Sequence, residues 1–384
     1  MSLVEYVDRS KTNCDKWNNF RGEYETKGLT GLWVADMDFK CPEEVLKALR
    51  EYIDFGVLGY STPEEGYYEE FIKWEKEEHR AEVKREWIRF SSGVVPAINW
   101  FLRIYTEEGD SVMINPPVYY PFFDAIKNNG RNLVESKLIE KDMKYSIDFD
   151  DMEKKIAENN VKAYILCNPH NPVSRVWRKE EVEKILEICK KHDVLLISDE
   201  IHQDLIFGGL ENTSLINYVN EYRKILVATA ASKTFNLAGC KNSFIIIADE
   251  KMREEFDKYT LSNKTLSGNP FGYIAVEAAY KYGKQWLEEV KSIIYSNHIY
   301  IKKELEGYKG IRVSDLEGTY LMWIDMREAL GDRDVHEFME KKCRLAFDYG
   351  EWFGGKEYEG YIRFNLATSE EIIKKAVDAI KNNL

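Results

Sequence analysis

Lys233 is the residue in this chain whose type and setting first point to chemistry. It follows the apolar run Ile225 to Val227, continued by Ala228 and Thr229, inside the segment Ala-Ala-Ser-Lys-Thr-Phe-Asn-Leu-Ala-Gly at 230–239. Burial disfavours an ammonium, so an amine held at the mouth of a buried strand has a lowered pKa and can attack a carbonyl, as a Schiff-base lysine must. A surface lysine in a loop is the plainer alternative, and this segment alone does not decide between them.

Other polar groups also follow apolar runs. Asp199 comes just after Val194 to Ile197, where a carboxylate is costly unless a cation lies against it. Glu200, next to it, points the opposite way and is expected to pack or to support its neighbours. Asn168-Pro169-His170-Asn171-Pro172 follows Ala163 to Leu166, and its two Asn-Pro pairs make a rigid turn that aims amide side chains outward. Ser91-Ser92-Gly93-Val94 follows Ile88 to Phe90 and opens a helix, whose free amides and positive dipole end suit an anion such as phosphate. Tyr119 and Tyr120 follow Val112 to Ile114 between prolines, as an aromatic lid or as packing. Arg363 lies inside the apolar run Tyr361 to Leu366, where an arginine serves a buried ion pair or a planar carboxylate.

The elements that position these groups follow from the pattern. Short apolar runs alternate with amphipathic stretches from residue 88 to residue 247, which predicts a mostly parallel sheet with helices on both faces. Ligands of such sheets bind beyond the carboxyl ends of the strands. Ahead of this region, Gly31 to Phe39 reads as a short strand ending in two acids. A helix follows Pro42 through Val45, Leu49 and Ile53 and closes at Gly56. A second, aromatic-rich helix runs through Tyr67, Phe71 and Trp74. Beyond residue 248 come a helix from Asn269-Pro270-Phe271 and a long one through Trp286 and Ile301. A smaller α/β unit follows, with strands at 319–326 and 361–366, a helix at 335–343 and a terminal helix from Ser369.

With 384 residues, two lobes are expected. The net charge is −13, from 54 basic against 67 acidic residues, and no Lys/Arg block stands out, so a nucleic-acid groove is not expected. A small anionic ligand would need a local positive site. The N-terminal residues lack the pattern of a signal peptide and no apolar run is long enough to span a bilayer, which together suggest a cytoplasmic protein. The six cysteines are scattered without metal-ligand spacing, so neither disulfides nor a metal site is expected.

Taken in order, Ser92-Gly93, Tyr119, Asn171-Pro172, Asp199 to His202, Ser232-Lys233 and Arg363 resemble the fold-type I pyridoxal-phosphate (PLP) enzymes, the aspartate aminotransferase superfamily. Trp33 to Phe39, Asn168 to Pro172, Asp199 to His202 and Ser232 to Gly239 resemble in particular its cystathionine β-lyase-like carbon-sulfur lyase branch. The resemblance implies a large PLP domain with a seven-stranded, mostly parallel sheet (46–285), a small C-terminal α/β domain (286–384) and an N-terminal arm that joins the small domain (1–45). It also implies a homodimer with shared sites, in which Tyr60 reaches the phosphate of the neighbouring subunit's cofactor.

By the same resemblance Lys233 holds PLP covalently and shuttles the substrate's α-proton, Asp199 pairs with the pyridine nitrogen and Tyr119 stacks on the ring. Asn171 donates to the ring's phenolic oxygen, and His202 touches the same edge or braces Asp199. Gly93, Val94, Ser232 and Lys241 take the phosphate. Arg363 clamps the substrate carboxylate, with Asn171, Ala35 and Tyr120 beside the substrate. Two positions depart from the common pattern: Lys241 stands where many relatives have a bidentate arginine, and Val173-Ser174 where a Thr-Gly pair is frequent. The activity implied is β-elimination from cystathionine or cysteine-type amino acids. Transamination and a non-catalytic regulatory role are the alternatives.

Overall fold

The computed structural model describes residues 2–265 and 267–384. Its centre is a sheet of seven strands: β1 (Ile88–Ser91), β2 (Ser111–Ile114), β3 (Asn132–Glu135), β4 (Val161–Cys167), β5 (Leu195–Asp199), β6 (Ile225–Thr229) and β7 (Ser243–Ile247). Their spatial order is β1-β7-β6-β5-β4-β2-β3. All neighbours are parallel except those of β7, which runs antiparallel to both β6 and β1. The carboxyl ends of the other strands therefore share one edge of the sheet, and the amino end of β7 joins them there.

Alternate residues of each strand enter two separate cores, because side chains on a pleated strand point to opposite faces. Ile114, Ile165, Ile197, Ala228 and Ile245 pack with Ala97, Ile98, Phe101 and Leu102 of the helix Val94–Tyr105. Met113, Leu166, Leu196, Val227 and Phe244 face the other core, with Phe71 of the helix Glu65–His79 and Ala275 of the helix Pro270–Tyr282. Residues buried on both faces explain why these strands read as continuous apolar runs rather than alternating ones. A second sheet, β8 (Arg312–Val313), β9 (Leu321–Asp325), β10 (Asp348–Tyr349) and β11 (Tyr361–Asn365), is antiparallel in the order β8-β9-β11-β10. The terminal helix Glu370–Asn383 is capped by the Ser369 hydroxyl and buries Ile373, Ala376, Val377 and Ile380, one apolar stripe at helical spacing.

Two local expectations are corrected, and one strand was not foreseen. Residues 31–39 are not a continuous strand: among the described residues Thr30–Gly31 pairs with Leu345–Ala346 and Phe39 forms a single bridge with Tyr6, and side chains help hold the backbone between. Asn365 Nδ2 donates to the carbonyls of Val34 and Asp36, and Asn236 bonds Met37 on both its amide and its carbonyl. Asp38, buried, is ion-paired with Lys16 at 2.8 Å. The edge strand β3 carries no apolar run, since polar Asn132 and Glu135 flank Leu133 and Val134, and periodicity missed it. The helix expected at 335–343 is α-helical only over Val335–Glu337 and widens to a π-helix at Phe338–Cys343.

Candidate active site

The shared strand edge opens on a cavity of about 420 Å3, within the range of small-molecule sites. Five connections supply its walls. Gly93 and Val94 come from the turn after β1, Tyr119 from the segment after β2, Asn171 from the turn after β4, Asp199 and His202 from the end of β5, and Ser232 and Lys233 from the turn after β6. Ala35 and Lys241 complete the set. Gly93 caps the helix Val94–Tyr105 with no side chain bonded to its first amides, which stay free to meet an anion.

Lys233 Nζ donates to the carbonyl of Ala35, which also accepts from the Tyr320 hydroxyl at 2.8 Å. Burial lowers the Lys233 pKa to about 8, against the opposing pull of Asp36, so a neutral amine is accessible near neutral pH. Its turn is anchored from behind. The Thr234 hydroxyl donates to Asp204 Oδ2, and Asp204 Oδ1 accepts from Trp74 Nε1 and meets His79 Nε2, both at 2.8 Å. His79 is raised to about 9 despite its burial because Glu75 and Asp204 face it, while its charge and hydrogen bonds hold Asp204 below the usual carboxylate range despite burial.

Asp199 is buried with no cation in hydrogen-bond range among the described residues. It accepts from the amide of Ile201 at 3.1 Å, and burial pushes its pKa up to about 7. This carboxylate awaits a positive partner from the cavity. His202 packs edge-on to Tyr320, and no hydrogen bond joins it to Asp199. Its Nδ1 has no partner among the described residues, and burial lowers its pKa, which keeps the ring neutral. Glu200, behind the strand end, accepts from the Ser198 hydroxyl at 2.8 Å and the Leu215 amide at 2.9 Å.

Arg363 lies just behind the cavity wall in a buried ion pair with Asp348, its register partner on β10. Its Nη1 donates to Asn171 Oδ1 and its Nη2 to the carbonyl of Trp33, each at 3.0 Å, while Nε has no partner among the described residues. The bond to Asn171 Oδ1 fixes that amide so that Nδ2 remains as a donor. Asp348 was missed from sequence, although an acid inside the apolar stretch Leu345 to Tyr349 is the same signal that exposed Asp199. The anchor Thr234–Asp204–His79 gave no such signal, because its members are far apart in the chain.

Besides Arg363, two more expected site residues lie outside this cavity. Tyr120 lines a neighbouring cleft with Trp33 and Trp352, and Tyr60 is fully exposed in the loop after Phe55. Lys241, with a left-handed φ of 50°, lines the cavity and is exposed. Ser174, where glycine is frequent in the pattern, adopts φ of 58° and donates from its hydroxyl to the Leu321 carbonyl.

The profile described as aminotransferase class I and II matches residues 27–380. Cystathionine beta-lyase PatB of Bacillus subtilis (strain 168) is 36% identical over 388 residues, covering 99% of both chains. Among solved structures, cystalysin from Treponema denticola, which contains a pyridoxal 5'-phosphate cofactor, superposes with a TM-score of 0.94 at 38% identity, covering 100% of this chain and 98% of that one. The PLP-bound C-S lyase from Staphylococcus hominis gives 0.92 at 34% identity, covering 99% and 97%.

Proposed function

The chain belongs to the aminotransferase class I and II family, and from that premise we infer that it is a PLP-dependent carbon-sulfur β-lyase acting on cystathionine or related S-substituted cysteines. The full-length likeness to a cystathionine beta-lyase carries the choice of reaction. The net reaction takes an S-substituted cysteine and water to a thiol, pyruvate and ammonia.

The residues present fit the cofactor. A buried Asp199 lacking a cation, uncapped helix amides beginning at Val94, and an amine of lowered pKa are three features that a pyridinium, a phosphate and an aldehyde would each complete. Bound PLP supplies the electron sink that makes the substrate's Cα proton removable. In this reading Lys233 holds the cofactor and, once displaced, takes the Cα proton and later returns one as general base and acid. Asp199 keeps the pyridine nitrogen protonated, Tyr119 covers the ring and Asn171 Nδ2 donates to its phenolic oxygen, with neutral His202 beside that edge. Gly93, Val94, Ser232 and Lys241 hold the phosphate, the last as a point charge. Arg363 takes the substrate carboxylate, flanked by Asn171, Ala35 and Tyr120.

The active form in this proposal is a cytoplasmic homodimer in which Tyr60 completes the neighbour's phosphate site. Ile53, Phe55, Val57 and Leu58, in the stretch that leads to Tyr60, are all exposed, and clustered exposed apolar residues are of the kind that marks an interface. All six cysteines are free, as in a reducing compartment. Among the described residues no helix is long and apolar enough to cross a membrane.

Borohydride reduction of the loaded protein should attach a pyridoxyl group to the peptide carrying Lys233, and the purified protein should form pyruvate from cystathionine. Label on another lysine, or pyruvate formation that survives Lys233→Ala, would end the assignment.

A further inference from the structure

A second, more open cleft of about 810 Å3 lies one side-chain layer from the cavity. Phe20, Trp33, Tyr120 and Trp352 form its apolar lining, and Arg21 and Lys27 bring positive charge to it. The side chains of Arg21 and Lys27 make no ion pair or hydrogen bond among the described residues, although the Lys27 backbone bonds Glu25 and Arg344, whereas Asp15, the acid of the cleft, accepts from Asn19 Nδ2 at 2.7 Å. In a chain of net charge −13, two unengaged cations beside half-buried aromatics make a local positive site.

The cleft adjoins the cavity across the aromatics. Tyr119 lines the cavity, and its ring centroid is 5.3 Å from that of Tyr120, which faces the cleft. Trp33 lines the cleft with its side chain while its carbonyl accepts from Arg363. The Trp33 ring is fixed by its Nε1 bond to the Lys16 carbonyl at 2.9 Å and by edge-on packing with Phe20 at 5.5 Å. Burial raises Tyr120 to about 12, with Asp348 adding and Arg363 and Arg21 opposing, so the charges of both guanidiniums act on its hydroxyl.

We propose that this cleft binds the distal end of the substrate, with Arg21 holding a carboxylate on the leaving thiol and the aromatics holding its methylenes. The inference rests on the lyase reading and deepens it: the preferred substrates are S-linked dicarboxylic amino acids, cystathionine among them, rather than cysteine or short S-alkyl cysteines. Arg363 takes the carboxylate at Cα and Arg21 the one beyond sulfur.

The test is calorimetric binding to the loaded protein of L-2-aminosuberate and L-2-aminooctanoate, which match in length, end in a carboxylate and a methyl group respectively, and carry no leaving thiol. The native protein should favour aminosuberate. Arg21→Ala should shrink that preference about fivefold, as for a partly exposed charge pair, and Arg21→Lys should keep most of it. The Arg21 side chain is exposed and makes no hydrogen bond or ion pair among the described residues, so the variants should fold. An unchanged preference in Arg21→Ala, or equal weakening of both ligands, would overturn the proposal. A protein that discriminates through Arg21 yet makes no pyruvate from cystathionine keeps this site and loses the lyase reading.

Discussion

Replacing Asp199 with Asn in the protein stripped of PLP should raise its stability at alkaline pH, although it removes a residue central to the site. The folded carboxylate ionises near 7 because it is buried, against 3.8 ordinarily. Between those values the folded state keeps a proton that the unfolded state has lost. Stability is therefore unpenalised below the unfolded pKa, falls as pH rises and levels off once pH exceeds the folded pKa. Integrating this one group gives a loss of about 2.5 kcal/mol between about pH 5 and about pH 8, within a full penalty of ~4 kcal/mol. Asp199→Asn should abolish that share of the slope. Other buried acids, Glu75 and Asp348 among them, titrate upward too, so the quantity to compare is the difference between native and variant. Urea unfolding at the two pH values reads it directly. In the loaded native protein the pyridinium supplies the missing cation, and the penalty should vanish. Identical pH slopes for native and variant apo-proteins would refute the argument that Asp199 is a buried acid without a cation.

Three further expectations follow from particular contacts. Ser174→Ala should lose about 1 kcal/mol through the missing bond to the Leu321 carbonyl, whereas Ser174→Gly offsets the same loss by relieving the left-handed conformation and should be nearly neutral; equal effects in thermal unfolding would contradict this. Asp348→Asn leaves Arg363 with an uncompensated buried charge and should cost about 3 kcal/mol in urea unfolding together with a raised KM, while a loss under about 1 kcal/mol would place the balancing charge elsewhere. Mixing Tyr60→Phe with Lys233→Ala subunits should restore activity, because one site of each hybrid retains both groups; verified heterodimers that stay inactive would remove Tyr60 from the neighbour's site.

The large sheet was legible because its strands are buried on both faces, and the rule that ligands sit beyond strand ends led to Gly93, Tyr119, Asn171, Asp199 and Lys233 in one cavity. Its edge strand at Asn132–Glu135 was not legible, since a half-exposed strand leaves no apolar run. The segment from Trp33 to Phe39 showed its motif but not its conformation, because its backbone partners are Asn236 and Asn365, far along the chain. Arg363 illustrates the limit of single residues. Its type suggested both an ion pair and a carboxylate clamp, and only the fold, which sets Asp348 and Asn171 against it, shows that the ion pair is present.

Elimination is separated from transamination by the turnover of cystathionine by the loaded protein with no 2-oxo acid present. Lys233 can return the proton to the cofactor side, which ends in transamination, or leave Cβ to expel a thiolate, and the two outcomes differ in stoichiometry. Pyruvate, ammonia and homocysteine should be released in equal amounts over many turnovers. A reaction that stops after about one turnover per site and resumes only when a 2-oxo acid is added would contradict it and make the protein an aminotransferase.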